Sequence, residues 1–171
     1  MGSDKVILPP DFRDIDGPLI FLAGPIRGAE DWQSEAIEII HRADSGIYIA
    51  SPRREVFDES FDFDVQTDWE TKYLNLAAER GVILFWLARE AHHSCDNGRS
   101  YAQTTRFELA TWVERFRHRD VGIVIGIEKG FSGVEYIRKM VSANIVIVDT
   151  LEDTCAEAVK IIKNKKMRRM L

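Results

Sequence analysis

Short runs of consecutive apolar residues alternate along this chain with longer stretches in which apolar residues recur every three to four positions. The runs are Leu19 to Ala23 (L-I-F-L-A), Gly46 to Ala50 (G-I-Y-I-A), Val82 to Leu87 (V-I-L-F-W-L), Val121 to Ile127 (V-G-I-V-I-G-I) and Asn144 to Asp149 (N-I-V-I-V-D). Unbroken apolar character marks a strand covered on both faces, as in a parallel sheet. Between the runs, Trp32, Ala36, Ile39, Ile40 and Ala43 fall on one helical stripe, and Trp69, Tyr73, Leu76 and Ala77 on another. Leu109, Trp112, Val113 and Phe116 form a third, a short helix is expected around Val134 to Val141, and Leu151, Cys155, Ala158 and Ile162 form the last. Five strands joined through helices predict one α/β domain, with a five-stranded parallel sheet, right-handed crossovers and helices on both faces. In such a sheet ligands bind beyond the carboxyl ends of the strands, where the strand order reverses.

The segments outside this alternation are short. Residues up to Pro18 carry Pro9, Pro10 and Gly17 and read as an irregular arm; residues 19–164 form the domain, and residues 165–171 a basic tail. Gly81, just after the second helical stripe, reads as the C′ glycine that stops a helix. A formal charge of −5 argues against a general nucleic-acid surface and leaves a small molecule as the expected ligand. Cys95 and Cys155 lie far apart without redox spacing, which suits a reducing cytoplasm, and no apolar run reaches membrane-spanning length.

Candidate chemistry gathers at the ends of the apolar runs. Gly24, Pro25, Ile26, Arg27 and Gly28 stand where the first strand turns into a helix, a place where free backbone amides and a guanidinium suit an anion. Arg53 and Arg54, after the second strand, either serve the same end or pair with the acidic loop through Phe57, Phe61, Asp62, Phe63 and Asp64. Glu108 lies just off the third helical stripe. In a first helical turn, beside Arg106, it is expected to be held ionised, as a nucleophile requires. Thr105-Arg106-Phe107-Glu108 also fits the T-x-x-E capping box, in which Glu108 satisfies a backbone amide. His92-His93-x-Cys95-Asp96 offers metal-ligand types without a second pair at zinc spacing, so no metal is expected. The four tryptophans read mainly as core; Trp86, ending the third run, is the candidate base-stacking platform.

Taken together, F-L-A-G-P-I after the first strand, W-E in the second helix, V-I-L-F-W-L and R-x-Y-A-Q-T-T-R-F-E-L resemble the nucleoside 2-deoxyribosyltransferase family, in particular its T-T-R-F-E-L branch. The resemblance spans roughly Leu19 to Ile147. It implies a flavodoxin-like (Rossmann-like) sheet and a glutamate that attacks C1′ of a 2-deoxyribosyl group, expelling the base, without metal or organic cofactor; Glu108 matches that glutamate. Gln103, Thr104, Thr105 and Arg106 then become substrate-binding candidates with the Gly24–Gly28 loop and Trp86. The family's usual tyrosine in the first strand is Phe21 here, and Tyr101 or Thr104 is the candidate replacement hydroxyl. For the acid that protonates the base, Glu70 is preferred over Asp68, against the alternatives that Glu70 belongs to a solvated face or is an i,i+4 partner for a neighbouring turn. Relatives complete each site with a neighbour's C-terminal segment, which implies a homo-oligomer, although Asn164 to Leu171 does not match that segment. The sequence I-R-G at Arg27 also resembles the 2-deoxynucleoside 5-monophosphate N-hydrolases. Three functions therefore stand: transfer of deoxyribose between bases, hydrolysis of nucleotide substrates, and a nucleotide-binding sensor without turnover.

Overall fold

The computed structural model describes residues 4–54, 62–92, 98, 100–141 and 143–168. Six strands, β1 (Val6–Ile7), β2 (Leu19–Ala23), β3 (Tyr48–Ala50), β4 (Val82–Leu87), β5 (Ile123–Ile127) and β6 (Val146–Val148), form one parallel sheet in the order β1-β3-β2-β4-β5-β6. Five helices connect or follow them: α1 (Trp32–Ala43), α2 (Phe63–Arg80), α3 (Gln103–Phe116), α4 (Val134–Met140) and α5 (Leu151–Arg168). The expected α/β class holds, but the sheet has six strands rather than five. The extra one lies in the N-terminal arm, where a two-residue strand is too short to show a period; Val6 pairs with Ile49 and Ile7 with Ala50. The expected basic tail also begins inside a helix, because α5 runs on through Lys165 to Arg168.

Alternation along the strands divides the core. Ile20, Leu22, Leu84, Trp86 and Val124 pack against α1 and α5, while Phe21, Ala23, Ile83, Phe85 and Leu87 face the opposite layer with Trp69 and Tyr73 of α2 and Leu109 and Trp112 of α3. The arm is strapped over α2 by that helix's own polar tips. Trp69 Nε1 donates to the Asp11 carbonyl at 2.8 Å, the Tyr73 hydroxyl accepts from the Arg13 amide at 2.8 Å, and Arg80 Nη1 donates to the Ile15 carbonyl at 2.9 Å. Large aromatic bodies thus fill the core while their polar ends hold the arm.

The chain leaves β2 for β3 on one side and returns to β4 on the other, so the order reverses between β2 and β4. At this switch point the Gly28 carbonyl accepts from the amides of Ala91 (2.7 Å) and His92 (3.0 Å), joining the loops that follow the two strands. Gly28 has φ of +78°, and a Cβ there would lie 2.9 Å from the His92 carbonyl oxygen, so the junction requires glycine. Among the described residues no helix is long and apolar enough to cross a membrane.

Candidate active site

Glu108 and Glu70 meet at the carboxyl edge of the sheet, on the face covered by α2 and α3. Both helices start at that edge because each follows a parallel strand, Glu108 standing on the second turn of α3 and Glu70 at the start of the third turn of α2. Both are half-buried. Burial, reinforced by the Glu70 charge, pushes Glu108 up to about 7. The expectation of a glutamate held ionised by Arg106 and the helix dipole is therefore wrong. Helix α3 begins at Gln103, which places Glu108 beyond the first turn, where the dipole acts most strongly. Arg106 is also turned away: it donates to the Ser132 carbonyl (2.9 Å) and hydroxyl (2.8 Å) and lies over the Phe131 ring.

The capping box is overturned for the same reason. The N-cap is Ala102, at φ of 55°, with no side-chain cap, and Thr105 is a buried residue inside the helix. A T-x-x-E pattern caps a helix only if the threonine precedes it. Of the neighbouring motif residues, Gln103 and Thr104 are exposed at the start of α3.

Glu70 is held from behind. Burial raises its pKa and the hydrogen bond from Gln66 works against that rise. Gln66 Nε2 donates to Glu70 Oε1 at 2.8 Å and to the Pro52 carbonyl at 3.2 Å, while Gln66 Oε1 accepts from Arg54 Nε at 2.9 Å. Arg54 and Gln66 are buried. Sequence reasoning missed Gln66, although its place four residues before Glu70 put it on the same helical face. Of the two alternatives for Glu70, the i,i+4 partnership exists, with Gln66, and Glu70 is half-buried rather than on a solvated face.

Arg53 and Arg54, adjacent in sequence, serve opposite sides. Arg53 Nε donates to Gln33 Oε1 at 2.9 Å, and Arg53 Nη2 donates to the carbonyls of Glu30 (3.2 Å) and Ile26 (3.4 Å). It braces the loop from Gly24 to α1, on which Arg27 is exposed. The buried Gln33 Nε2 beside this loop has no acceptor among the described residues.

The remaining candidates lie elsewhere. Tyr101 directs its hydroxyl to the carbonyls of Ala88 (2.7 Å) and Arg89 (3.0 Å), joining the start of α3 to the exit of β4, and burial pushes its pKa up. Phe21 is buried against Trp69, ring centroids 6.1 Å apart. Trp86 is buried on the α1 and α5 side, away from the two carboxylates, where its ring closes over Gly126. Asp62 accepts from the amides of Asp64 (2.9 Å) and Val65 (3.1 Å) and caps α2, while Phe57 and Phe61 lie outside the described residues. His92 pairs with Glu30 at 3.3 Å; His93, Cys95 and Asp96 lie outside the described residues.

The geometry described so far, two carboxylates at the switch-point edge of a parallel sheet, lies within the segment that matches a known family. Residues 17–128 match the family described as nucleoside 2-deoxyribosyltransferase like, well over half of the chain. The chain belongs to this family. A comparison with curated proteins gives no match. In this nucleoside 2-deoxyribosyltransferase-like chain the matched segment runs from Gly17, before β2, to Glu128, just after β5, so β1, α4, β6 and α5 lie outside it.

Proposed function

We propose that the protein cleaves the N-glycosidic bond of 2-deoxynucleosides through a covalent ester on Glu108 and passes the sugar to another base. The observation that carries this reading is the Glu70–Glu108 pair: two interacting carboxylates on neighbouring helices, of which we assign Glu108 to attack and Glu70 to protonate. Glu108 as the anion forms a bond to C1′ while the C1′–N bond breaks, its electrons passing to the base nitrogen, which takes a proton from Glu70. A second base, or water, then attacks C1′ and releases Glu108. This is the chemistry of a retaining glycosidase, with an oxocarbenium-like transition state. Incubation with deoxynucleosides, followed by chromatography for free base and mass spectrometry for a deoxyribosyl adduct, tests it. Binding without base release would support a sensor instead, and release without any base acceptor would indicate hydrolysis.

The pair works only when it holds one proton. With two protons Glu108 is no nucleophile, and with none the base leaves as an anion; the pH dependence of kcat/KM is therefore expected to be bell-shaped, with apparent values belonging to the pair. In the singly protonated pair the proton rests mainly on Glu108, which burial and the Glu70 charge push up to about 7, and the reactive form is the tautomer in which that proton has passed to Glu70; the last proton leaves at about 7. Activity should fall about tenfold per pH unit above that. Glu70→Gln removes both the acid and the like charge, so its residual activity should lose the alkaline limb and begin at lower pH. A pH–rate series on the two proteins checks this, and an unchanged alkaline limb in Glu70→Gln would exclude the pair.

The exposed Arg27, on the loop that leads into α1, supports phosphorylated substrates as a second reading. If substrates are 5-monophosphates, Arg27→Ala should remove one or two charge-assisted hydrogen bonds of about 1.5–3 kcal/mol each, weakening nucleotide binding by about tenfold or more. Nucleosides should be nearly indifferent. Measuring kcat/KM for matched nucleoside and nucleotide pairs cancels any general destabilisation, and equal losses would remove the phosphate anchor while leaving the Glu108 mechanism intact.

A further inference from the structure

We propose that Gln66, oriented by Arg54, is a positioning residue that confines the acidic proton of Glu70 to its Oε2 oxygen. The inference rests on the reading of Glu70 as proton donor and adds to it which atom delivers the proton and what decides this. The hydrogen-bond inventory of Gln66 leaves one orientation. An arginine guanidinium only donates, so the amide oxygen of Gln66 must face Arg54 Nε, at 2.9 Å. Both hydrogens of the Gln66 amide then point to acceptors, one to the Pro52 carbonyl and one to Glu70 Oε1. Turning the amide over would set donor against donor at Arg54 and acceptor against acceptor at Pro52 and Glu70, with Arg54 and Gln66 both buried. Since Oε1 accepts a hydrogen bond from an amide that cannot reverse, it takes the carbonyl role in the neutral acid, and the proton lies on Oε2. Arg54, fixed after β3, therefore reaches Glu70 through a single side chain.

During cleavage the Oε2–H bond breaks and its proton passes to the nitrogen of the departing base as that nitrogen receives the electrons of the C1′–N bond. A base that already carries a positive charge departs neutral and takes no proton. The discriminating measurement is thus the ratio of kcat/KM for an N-methylated, cationic purine deoxynucleoside to that for its unmethylated parent. Gln66→Glu keeps an acceptor for Arg54 but cannot donate to Glu70 when ionised. Gln66→Met is close in size and can neither donate nor accept. Both are expected to raise the ratio about tenfold or more by slowing the parent, with Glu70→Gln raising it in the same direction.

A merely structural role would slow both substrates alike and leave the ratio unchanged. Should Gln66→Met fail to fold, Gln66→Glu retains the Arg54 contact and supplies the measurement. If Glu70→Gln raises the ratio and the Gln66 variants do not, Glu70 is the donor and the positioning role is overturned. If Glu70→Gln leaves the ratio unchanged, the donor assignment fails and the role of Gln66 fails with it.

Discussion

Glu108→Gln is expected to abolish base release and the deoxyribosyl adduct while making the protein more stable at neutral and alkaline pH. Losing the nucleophile should lower turnover by at least about 10⁴-fold, as removal of an attacking group from a covalent mechanism does. The gain in stability follows from the same burial. The pKa of Glu108 is raised from 4.5 to about 7, so the folded state binds its proton more tightly than the unfolded chain does. Stability then falls as pH rises through that window and stays lower above it. That rise corresponds to about 3 kcal/mol, or several degrees in melting temperature for a chain of this size. An amide does not ionise, so the mutant should lack this slope. Melting curves at pH 4 and pH 8 beside the adduct assay check both halves. A mutant that retains wild-type turnover would remove Glu108 from the mechanism, and one with the wild-type pH slope would remove the buried charge from the energetics.

Gly81→Ala is expected to cost more than about 3 kcal/mol and to yield little soluble protein, although the new side chain is a single methyl group. A Cβ at Gly81 would lie 1.8 Å from the Leu19 carbonyl oxygen and 2.7 Å from its carbonyl carbon. These are backbone atoms at the start of β2, in the middle of the sheet, and no side-chain rotation can relieve the clash. Gly122 is crowded against the same point, its added Cβ falling 2.5 Å from the Gly81 carbonyl oxygen. Gly98→Ala makes the contrast: a Cβ there meets nothing within 4 Å, so only its φ of +67° is strained, at a cost of about 1 kcal/mol. Denaturant unfolding of the two variants gives the comparison, and equal small losses would mean that the backbones at Gly81 and Leu19 separate easily.

Gly81 also shows how a correct sequence signal acquires the wrong cause. Helix α2 does end at Arg80, as a glycine after a helical stripe suggests, but Gly81, at φ of −155°, is not left-handed. The position excludes a side chain because a strand passes against it. Trp86 is a related case. Its place at the end of an apolar run marked it correctly as a strand residue, but strand alternation set its ring on the α1 and α5 layer, away from Glu70 and Glu108.

The sequence by itself determined the alternating parallel architecture, the buried stripes of α1 (all but its exposed last residue, Ala43), α2, α3 and α5, and the family to which Glu108 and its neighbours belong. Those features are written in periods of a few residues or in contiguous motifs, where bond geometry and burial act over short distances. Only the tertiary structure decided the electrostatics of the site. Along the chain the nearest charge to Glu108 is Arg106, which would hold it ionised; in the fold Arg106 turns to Ser132, and Glu70 of another helix raises its pKa instead. Helix α3 starts two residues before Thr105 because Ala102 adopts a left-handed turn, and that shift alone removed the capping box and carried Glu108 past the first turn. The strand at Val6–Ile7, the separate tasks of Arg53 and Arg54, and the hold of Gln66 on Glu70 were likewise invisible in the chain. Each depends on a partner distant in sequence or on the solvent that packing excludes, and neither leaves a local pattern.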